Sequence, residues 1–335
     1  MKEALLYVKK EEKKVLCGLC SHRCLIAGGK FGYCGVRQNK DGILYTHSYG
    51  NLVAANVDPI EKKPIFHMLP GSASYSIAAA GCNFRCDFCQ NWEISQKDEA
   101  GAGRDPLYVP PAKTVSEAGR SGARSISYTY TEPTIYFEYS LDTGRLAKKE
   151  GLYNIYVTNG FMTKECLDAL KGVLDAANVD LKSFSSEYYK KVCKGRLEPV
   201  LESIEYMRKL GIWVEVTTLI VPTLNDTEDE LKKIAVFLAG IGKEIPWHIS
   251  RFYPQYKIGN LPPTPLGTLK MAQAIGKAAG LYYVYLGNVP GEGENTHCYN
   301  CNELLIERTG YFVKTNKITE GKCPKCKSKI HGIWE

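Results

Sequence analysis

Three cysteines lie within eight residues of one another, at Cys82, Cys86 and Cys89, directly after the apolar, strand-like run 74–80. A C-x3-C-x2-C loop can place three thiolates on three corners of a cubic 4Fe-4S cluster, because each iron of the cluster takes one thiolate. The fourth iron is left open, and an incomplete set of protein ligands is typical of a catalytic rather than a structural metal site. No further cysteine follows before Cys166. We therefore predict that these three cysteines are catalytic metal ligands.

An aromatic residue, Phe88, stands directly before the last of these cysteines. With this residue the loop resembles the signature of radical S-adenosylmethionine (SAM) enzymes. The resemblance implies that the amine and carboxylate of SAM bind the open iron. It also implies that one electron from the cluster cleaves SAM to a 5′-deoxyadenosyl radical, which abstracts a hydrogen atom from a substrate. The alternative is a zinc loop or a chance group of buried cysteines, and core cysteines rarely show this spacing after a strand.

Eight other cysteines form two groups of four near the ends of the chain. The first group is Cys17, Cys20, Cys24 and Cys34, and the second is Cys298, Cys301, Cys323 and Cys326. The two C-x2-C knuckles of the second group are typical of a zinc ribbon and predict a closed structural zinc site. The first group can complete a tetrahedral zinc site or a full iron–sulfur cluster, and its C-x2-C knuckle favours zinc only slightly. His22, His297 and His331 lie close to these groups in the sequence, but four sulfurs complete either kind of site without them.

The composition of the 335 residues, 44% apolar and 24% charged, is that of a soluble globular protein. No apolar run approaches the roughly 20 residues of a membrane span, and the start of the chain lacks a signal-peptide pattern, so we expect a cytoplasmic protein without a membrane partner. Thirteen cysteines in such a protein indicate metal sites rather than disulfides. The net charge of +7 falls to roughly +2 once the thiolates of three metal sites are counted. Because the basic residues also alternate with acidic ones, we expect no nucleic-acid partner.

From about residue 71 to 290, short apolar runs alternate with longer amphipathic ones, which predicts βα units around a parallel sheet. We predict strands at 75–80, 125–130, 154–158, 178–182, 213–221 and 247–252, and a seventh strand can be drawn at 282–286. Helices are predicted at 117–121, 134–149, 164–170, 197–210, 228–238 and 266–279. Six or so units predict a partial (β/α)6 TIM-like barrel of the α/β class, at 71–290. A four-cysteine module at 1–70 and a zinc-ribbon tail at 291–335 flank it.

Two local features are also predicted. Thr227 and Glu230 form a capping box that begins one of the helices. The segment 43–56 alternates in polarity and predicts a β-hairpin.

In such barrels the chemistry lies at the carboxyl ends of the strands. The candidate residues there are Glu132, Thr158, Asn159, Asp180, Lys182, Thr218 and His248. By strand alternation His248 faces the barrel interior, either as a proton-handling residue on the substrate side or as a structural histidine. Arg251 and Tyr253 follow it without an assigned role.

The radical SAM resemblance implies roles for the other candidates. Glu132 matches the acid of a Gly-Gly-Glu-Pro motif and would bind the methionine amine of SAM, although Tyr130 and Thr131 replace the glycines. Thr158 and Asn159 would bind the ribose hydroxyls. Asp180 and Lys182 match the D-x-K element of glycyl-radical-enzyme activases near the SAM carboxylate, which a lysine can pair with in a partly dry site. Phe88 and Thr218 would flank the adenine.

Over its first 140 residues the chain is similar to one family in more detail. The runs that carry the resemblance are 17–24, 32–37, 58–64, 66–71, 81–96 and 128–139. The family is the radical SAM component of the AmmeMemoRadiSam system, which is related to pyruvate formate-lyase activating enzymes. The resemblance implies association with the two other proteins of that system and an electron donor of the flavodoxin or ferredoxin type. It implies no settled substrate.

Three functions of different classes therefore remain open at the level of sequence. The first is a radical SAM enzyme that acts on an unidentified substrate. The second is an activase that abstracts hydrogen from a glycine of a partner protein, which the D-x-K element at Asp180 favours. The third is a non-catalytic metal-binding adaptor built on the two four-cysteine groups.

Overall fold

The N-terminal part of the chain forms two small antiparallel sheets around the first cysteine group. A computed structural model of the protein describes residues 1–96 and 107–335. The first strands are β1 (Lys2–Glu3), β2 (Tyr7–Lys9), β3 (Val15–Cys17), β4 (Leu25–Ile26), β5 (Arg37–Lys40) and β6 (Ile43–Thr46). One sheet has the order β1-β6-β5 and the other the order β2-β3-β4. Buried Val15, Ile26 and Leu44 join these sheets to the main core.

The centre of the molecule is a sheet of nine strands, counted over the described residues. Its strands are β7 (Asn51–Pro59), β8 (Ala73–Ala79), β9 (Leu107–Tyr108), β10 (Ser125–Tyr128), β11 (Tyr153–Thr158), β12 (Ala176–Asp180), β13 (Trp213–Ile220), β14 (Trp247–Arg251) and β15 (Val284–Gly287). Strands β8 and β10 to β15 are parallel neighbours in chain order. Strands β7 and β9 extend one edge in antiparallel pairing.

Helices cross between the parallel strands, as expected for βα units. They are α1 (Trp92–Ser95), α2 (Pro111–Arg120), α3 (Phe137–Lys149), α4 (Lys164–Leu170), α5 (Ser186–Tyr188), α6 (Glu198–Lys209), α7 (Glu228–Ile241) and α8 (Leu266–Ala278). Short 3-10 helices lie at Ile60–Lys62 and Pro133–Tyr136, and a π-helical turn at Tyr189–Cys193 follows α5. Their apolar faces pack on the sheet through fully buried residues such as Leu141, Ile204 and Leu238. None of the helices in the described residues is long and apolar enough to cross a membrane.

The tail forms a three-stranded sheet of β16 (Thr296–His297), β17 (Leu304–Thr309) and β18 (Phe312–Asn316). It packs on the barrel through the backbone, because Ile333 donates its amide to the carbonyl of His67 at 2.8 Å and Met68 forms a parallel bridge with Ile333. The ring of His67, fully buried, also hydrogen-bonds to the carbonyl of His331 at 2.7 Å.

The structure confirms the predicted α/β architecture with one correction. Seven parallel strands are present, and the seventh strand drawn at 282–286 is a full member of the sheet as β15. The hairpin predicted at 43–56 is wrong, since β6 pairs with β1 and β5 whereas β7 joins the barrel sheet beside β8. Both strands exist, but a pattern of alternation cannot tell which strand each one will pair with.

The predicted capping box is half formed. The hydroxyl of Thr227 accepts the amide of Glu230 at 3.3 Å, which caps α7. The carboxylate of Glu230 does not return this bond and instead accepts from Ser183 and the amide of Phe184, which anchors the loop after β12. The carboxylate of Glu230 therefore makes a tertiary contact with the loop after β12 instead of the local contact that a full capping box requires.

Candidate functional site

A cavity of about 510 Å³ opens at the carboxyl ends of the parallel strands. Ten of the predicted site residues line it: Cys82, Cys86, Phe88, Cys89, Glu132, Thr158, Asn159, Asp180, Lys182 and His248. These residues are separated by up to about half of the chain and come from the loop after β8 and from four further strands, β10, β11, β12 and β14, or the loops that follow them, so the fold brings them to one place as the barrel architecture requires.

The cysteine loop after β8 is held by hydrogen bonds to its sulfur atoms. The amide of Phe84 donates to Sγ of Cys82 at 3.3 Å, and Sγ of Cys89 lies 3.1 Å from the hydroxyl of Ser95. Burial raises the pKa of the Cys82 thiol well above its usual range. A thiol in such a place becomes a thiolate only when a metal replaces its proton, and the hydrogen bonds then stabilise the charge on sulfur.

Glu132, at the loop after β10, is a buried hub between two strands. Its Oε1 accepts from the hydroxyl of Thr158 at 2.7 Å and from the amide of Thr134 at 3.1 Å, and its Oε2 accepts from the amide of Asn159 at 2.8 Å. Burial raises the pKa of this carboxyl above its usual value, although these donors oppose the effect. Because Oε2 has only one donor among these bonds, it keeps capacity to accept a further hydrogen bond.

Asp180, the last residue of β12, and Lys182, in the loop that follows, form an ion pair at the cavity wall. The Nζ of Lys182 lies 2.8 Å from the Oδ2 of Asp180 and 5.6 Å from the centre of the Phe88 ring. Burial opposes the charge of Lys182, but Asp180, Cys86 and Cys193 together outweigh it and raise the pKa of the lysine well above its usual range. The ammonium is therefore charged at neutral pH and available to an anionic group in the cavity.

Thr218 does not line the cavity, in contrast to the predicted contact with adenine. Its hydroxyl donates to the carbonyl of Leu181 at 2.9 Å and accepts from Nε1 of Trp247 at 3.0 Å. Its neighbours Thr217 and Leu219 line the cavity instead. Successive side chains of a strand point to opposite faces, so an error of one residue selects the wrong face.

Comparisons with known proteins agree with this geometry. Residues 76–238 match the family model described as the Radical SAM superfamily. An uncharacterized protein of Methanocaldococcus jannaschii is 48% identical over 336 residues, which cover 98% of this chain and 99% of that protein. The chain belongs to the radical SAM superfamily. Membership implies a 4Fe-4S cluster and SAM as cofactors.

More distant matches connect the chain with activating enzymes and with the fold. The pyruvate formate-lyase 1-activating enzyme of Escherichia coli strain K12 is 23% identical over 211 residues, which cover 58% of this chain and 85% of that enzyme. A radical SAM methyltransferase from Sphaerobacter thermophilus superposes with a TM-score of 0.51 at 13% identity, over 65% of this chain and 67% of that one. The latter similarity shows the fold alone.

The donor set of the cavity fits the cofactors that a radical SAM protein requires. Three cysteine thiols suit three irons of a cubic cluster. The ammonium of Lys182 suits a carboxylate, the acceptor on Glu132 suits an amine, and the ring of Phe88 suits a flat base. The residues of this chain are thus compatible with both a cluster and SAM in one cavity.

Sequence reasoning left the role of His248 open, and it missed the partner of this histidine. The Nε2 of His248 lies 2.6 Å from Oε2 of Glu215, a fully buried acid of β13. Glu215 also accepts the amides of Phe66 and His67 at 3.0 and 2.8 Å, which holds the segment before β8 across the barrel. The sequence contained a signal that could have revealed this partner. Glu215 is an acid within an apolar strand, and it lies two residues before Thr217 and therefore on the same face of the sheet.

A second group that the sequence did not reveal surrounds Tyr130, which the resemblance places at a glycine position of the Gly-Gly-Glu-Pro motif. Tyr130 adopts a positive φ of 63°, a conformation that favours glycine. Its hydroxyl hydrogen-bonds to Asp58, and the Nζ of Lys63 lies 4.5 Å from the centre of its ring. These contacts offset the backbone strain, and they explain how the motif keeps its shape without glycine.

The ribbon cysteines converge as a zinc site requires. Their four ligand atoms all lie within 4.8 Å of one another, with 3.5 Å from Cys298 to Cys326 and 3.7 Å from Cys301 to Cys323. A tetrahedral zinc with bonds of about 2.3 Å places its sulfurs about 3.8 Å apart. Neither His297 nor His331 belongs to this group. The four cysteines of the N-terminal module line a separate, smaller cavity.

Proposed function

We propose that the protein is a radical SAM enzyme whose cluster is held by Cys82, Cys86 and Cys89. The observation that carries the proposal is that the three cysteines of the family loop share one cavity with the polar residues suited to SAM. When bound, the cluster supplies one electron that cleaves SAM to a 5′-deoxyadenosyl radical, which removes a hydrogen atom from a substrate. We place the protein in the cytoplasm, with an electron donor of the flavodoxin or ferredoxin type.

Different residues of the cavity bind different parts of SAM in this proposal. Lys182 pairs with the carboxylate and Glu132 receives the amine through Oε2. Thr158 and Asn159, already ordered by Glu132, lie at the ribose. Phe88 covers the adenine from one side, and the strand β13 contributes to this contact through the cavity-facing Thr217 and Leu219, which replace Thr218 in this role.

The cavity also contains groups that SAM does not need. Lys63, Tyr130 and Tyr311 also line it, and so does His248, whose ring is held by the buried Glu215. This space is assigned to the substrate, with His248 as a positioning residue whose ring is fixed by the buried carboxylate. Metal-binding roles are proposed for the flanking modules, with zinc in the C-terminal ribbon.

A second function is favoured by the relatives. One relative is named a putative glycyl-radical enzyme activating enzyme, from Methanocaldococcus jannaschii, and is 28% identical over 185 residues, which cover 54% of this chain and 68% of that protein. An activase would remove hydrogen from a glycine of a partner protein, and the D-x-K residues Asp180 and Lys182 lie at the cavity wall. The two other proteins of the AmmeMemoRadiSam system are the first partners to test. A non-catalytic adaptor remains the alternative if SAM is never cleaved.

The enzyme proposal is tested by release of 5′-deoxyadenosine from SAM. Anaerobically reconstituted, reduced protein is expected to form it, and Cys86→Ala is expected to reduce the yield to that of cluster-free protein. Cys166→Ala is the matched control, because Cys166 is a buried cysteine of α4 outside the cavity. Wild-type protein with a full iron content that never cleaves SAM would exclude the enzyme function.

The substrate class is tested separately. Candidate substrates labelled with deuterium, including the partner proteins, are incubated with SAM, and deuterium in 5′-deoxyadenosine is measured by mass spectrometry. A glycyl radical on a partner, seen by electron paramagnetic resonance (EPR), would establish the activase function. Deuterium transfer from a small molecule to 5′-deoxyadenosine would establish that the enzyme acts on a small-molecule substrate.

A further inference from the structure

The four cysteines of the N-terminal module surround a common space. Cys17, Cys20, Cys24 and Cys34 all line one cavity of about 20 Å³, and its other lining residues are mainly apolar, with Leu19, Ile26 and Ile135 among them. A cavity of this size has room for roughly one water molecule. A zinc ion about 2.3 Å from each of four sulfurs leaves no such room between them.

The separation of the sulfurs distinguishes this site from the ribbon. In the described parts of the chain, the ribbon cysteines are the only group of three or more His, Cys, Asp or Glu whose ligand atoms all lie within 4.8 Å of one another. No three of the N-terminal sulfurs meet that limit, although zinc would bring all four to about 3.8 Å. Sulfurs that cap four different irons of a cube lie farther apart than sulfurs that share one ion.

The cysteine loop of the main cavity provides an internal standard. The sulfurs of Cys82, Cys86 and Cys89 also do not form a group in which all the atoms lie within 4.8 Å of one another. The cofactor of their family is a cubic cluster. The protein therefore shows two kinds of cysteine spacing, a compact one in the ribbon and a wide one in the loop. The N-terminal group belongs to the wide kind.

The surroundings of the N-terminal site suit a buried anionic cluster. The amide of Tyr33 donates to Sγ of Cys24 at 3.5 Å, and Nη1 of the buried Arg37 donates to Sγ of Cys17 at 3.5 Å. Hydrogen bonds to sulfur stabilise iron–sulfur clusters and adjust their reduction potential. A cubic cluster with four thiolates carries negative charge, and the guanidinium of Arg37 donates a hydrogen bond to one of these thiolates while it also pairs with Glu138.

The N-terminal site also packs directly behind the loop of the main cavity. The Nε2 of His22 lies 2.7 Å from the carbonyl of Asn83, and Arg85 donates to the carbonyl of Tyr33 at 2.8 Å. A Cβ at Gly81 would lie only 3.2 Å from the carbonyl of Cys34. The backbone that carries the N-terminal cysteines therefore contacts the backbone of the cysteine loop directly.

We propose that Cys17, Cys20, Cys24 and Cys34 hold a second iron–sulfur cluster of the cubic 4Fe-4S type rather than zinc. The site is complete with four protein ligands, so it does not bind SAM. The proposal goes beyond the function proposed above and does not depend on it, because its readout is metal content rather than activity.

The test removes the loop cluster and asks what remains. The variant Cys82→Ala/Cys86→Ala/Cys89→Ala is reconstituted anaerobically with iron and sulfide, desalted and analysed. We expect about four irons, about four sulfides and one zinc per chain, and an EPR signal after reduction that SAM does not change. An iron-free variant with two zincs, or iron without sulfide, would overturn the proposal.

Two further measurements protect the test against misfolding. Wild-type protein is expected to hold about eight irons and one zinc, whereas about four irons and two zincs would overturn the proposal without any substitution. The control Cys323→Ser/Cys326→Ser is expected to lose zinc and keep both clusters. If this control loses iron instead of zinc, the assignment of the two modules is wrong.

Discussion

The two four-cysteine modules at the ends of the chain are both joined to the barrel by a buried arginine, but in different ways. In the tail, Arg308 donates to the carbonyl of Phe66 at 2.9 Å and pairs with Glu61. In the N-terminal module, Arg37 pairs with Glu138 of α3 and also donates to the sulfur of Cys17. The first arginine supports a docking contact, whereas the second joins a docking contact to the proposed cluster site.

This difference shows how the same number of cysteines can serve two purposes. The ribbon is too small to bury a core of its own, so a compact metal site stabilises it beside the barrel. The N-terminal module shares residues and hydrogen bonds with the barrel and lies against the catalytic loop. We therefore expect damage to the ribbon site to stay local, and damage to the N-terminal site to reach the loop.

The largest expected effect is the loss of the ribbon fold. Cys323→Ser removes one of four sulfurs, and the free energy of zinc binding, about 10 kcal/mol or more in small zinc domains, is the folding energy of the tail. Limited proteolysis should cleave the tail, with release of zinc and unchanged iron content. A protease-resistant tail that keeps its zinc would contradict the claim that the metal site stabilises the ribbon.

The second effect is the loss of the N-terminal anchor. Arg37→Met leaves Glu138 buried and unpaired, and it should lower the free energy of unfolding by about 3–5 kcal/mol, measured with guanidinium on metal-loaded protein. Arg23→Met is the matched control, because Arg23 pairs with Glu165 on the surface at 2.9 Å and should cost about 0–1 kcal/mol. Equal costs for the two variants would show that Arg37 is no anchor.

The third effect tests the end of the barrel that the tail covers, and it depends on pH. Burial disfavours the charge on Glu215, but its interactions with His248, His67 and the amide of Phe66 together outweigh burial and lower the pKa below the usual 4.5. Its stabilisation is therefore present above pH 4.5 and is lost as the pH falls through the lower pKa of the folded state. Glu215→Gln should cost about 1–3 kcal/mol at pH 7, and less at pH values below its folded pKa.

The control for this variant is Glu205→Gln, an exposed acid of α6. Its effect should stay within about 0.5 kcal/mol at every pH. A cost of Glu215→Gln that does not change between pH 7 and acid would show that ionisation of this carboxyl is not involved.

The smallest expected effect compares one histidine beside each module. His22→Ala removes the bond to the carbonyl of Asn83 and should cost about 0.5–1.5 kcal/mol, with a change in the EPR signal of the loop cluster. His297→Ala, at an exposed position beside the ribbon, should cost less than about 0.5 kcal/mol and leave that signal unchanged. An unchanged signal in the His22 variant would separate the N-terminal module from the loop.

Local patterns were sufficient for most of the barrel. The strand predicted at 154–158 is found at Tyr153–Thr158, because a short apolar run between polar turns has few other conformations. Helix α4 is found at the predicted residues, with Thr163 as the cap that accepts the amide of Cys166 at 3.2 Å.

Features that depend on tertiary contacts were missed. The hairpin at 43–56 failed because β6 pairs with the preceding β5 and with β1, whereas β7 pairs with β8, so the two strands belong to different sheets. Glu215 was overlooked because its donors come from β14 and from the segment around residue 66, about 150 residues earlier. The side chain of Thr218 was assigned to the wrong face of the sheet. Alternation along a strand shows which residues share a face, but only the assembled sheet shows which of the two faces points into the cavity.

The sequence by itself determined which residues can do chemistry in this protein. The spacing of Cys82, Cys86 and Cys89 predicts an open-cornered cluster, and the ribbon spacing predicts a closed zinc site. For the N-terminal four, spacing left zinc and a cluster as alternatives. The tertiary structure is the basis of our proposal that they hold a cluster, because spacing along the chain limits how far apart two sulfurs can lie, whereas backbone packing sets the distance between them.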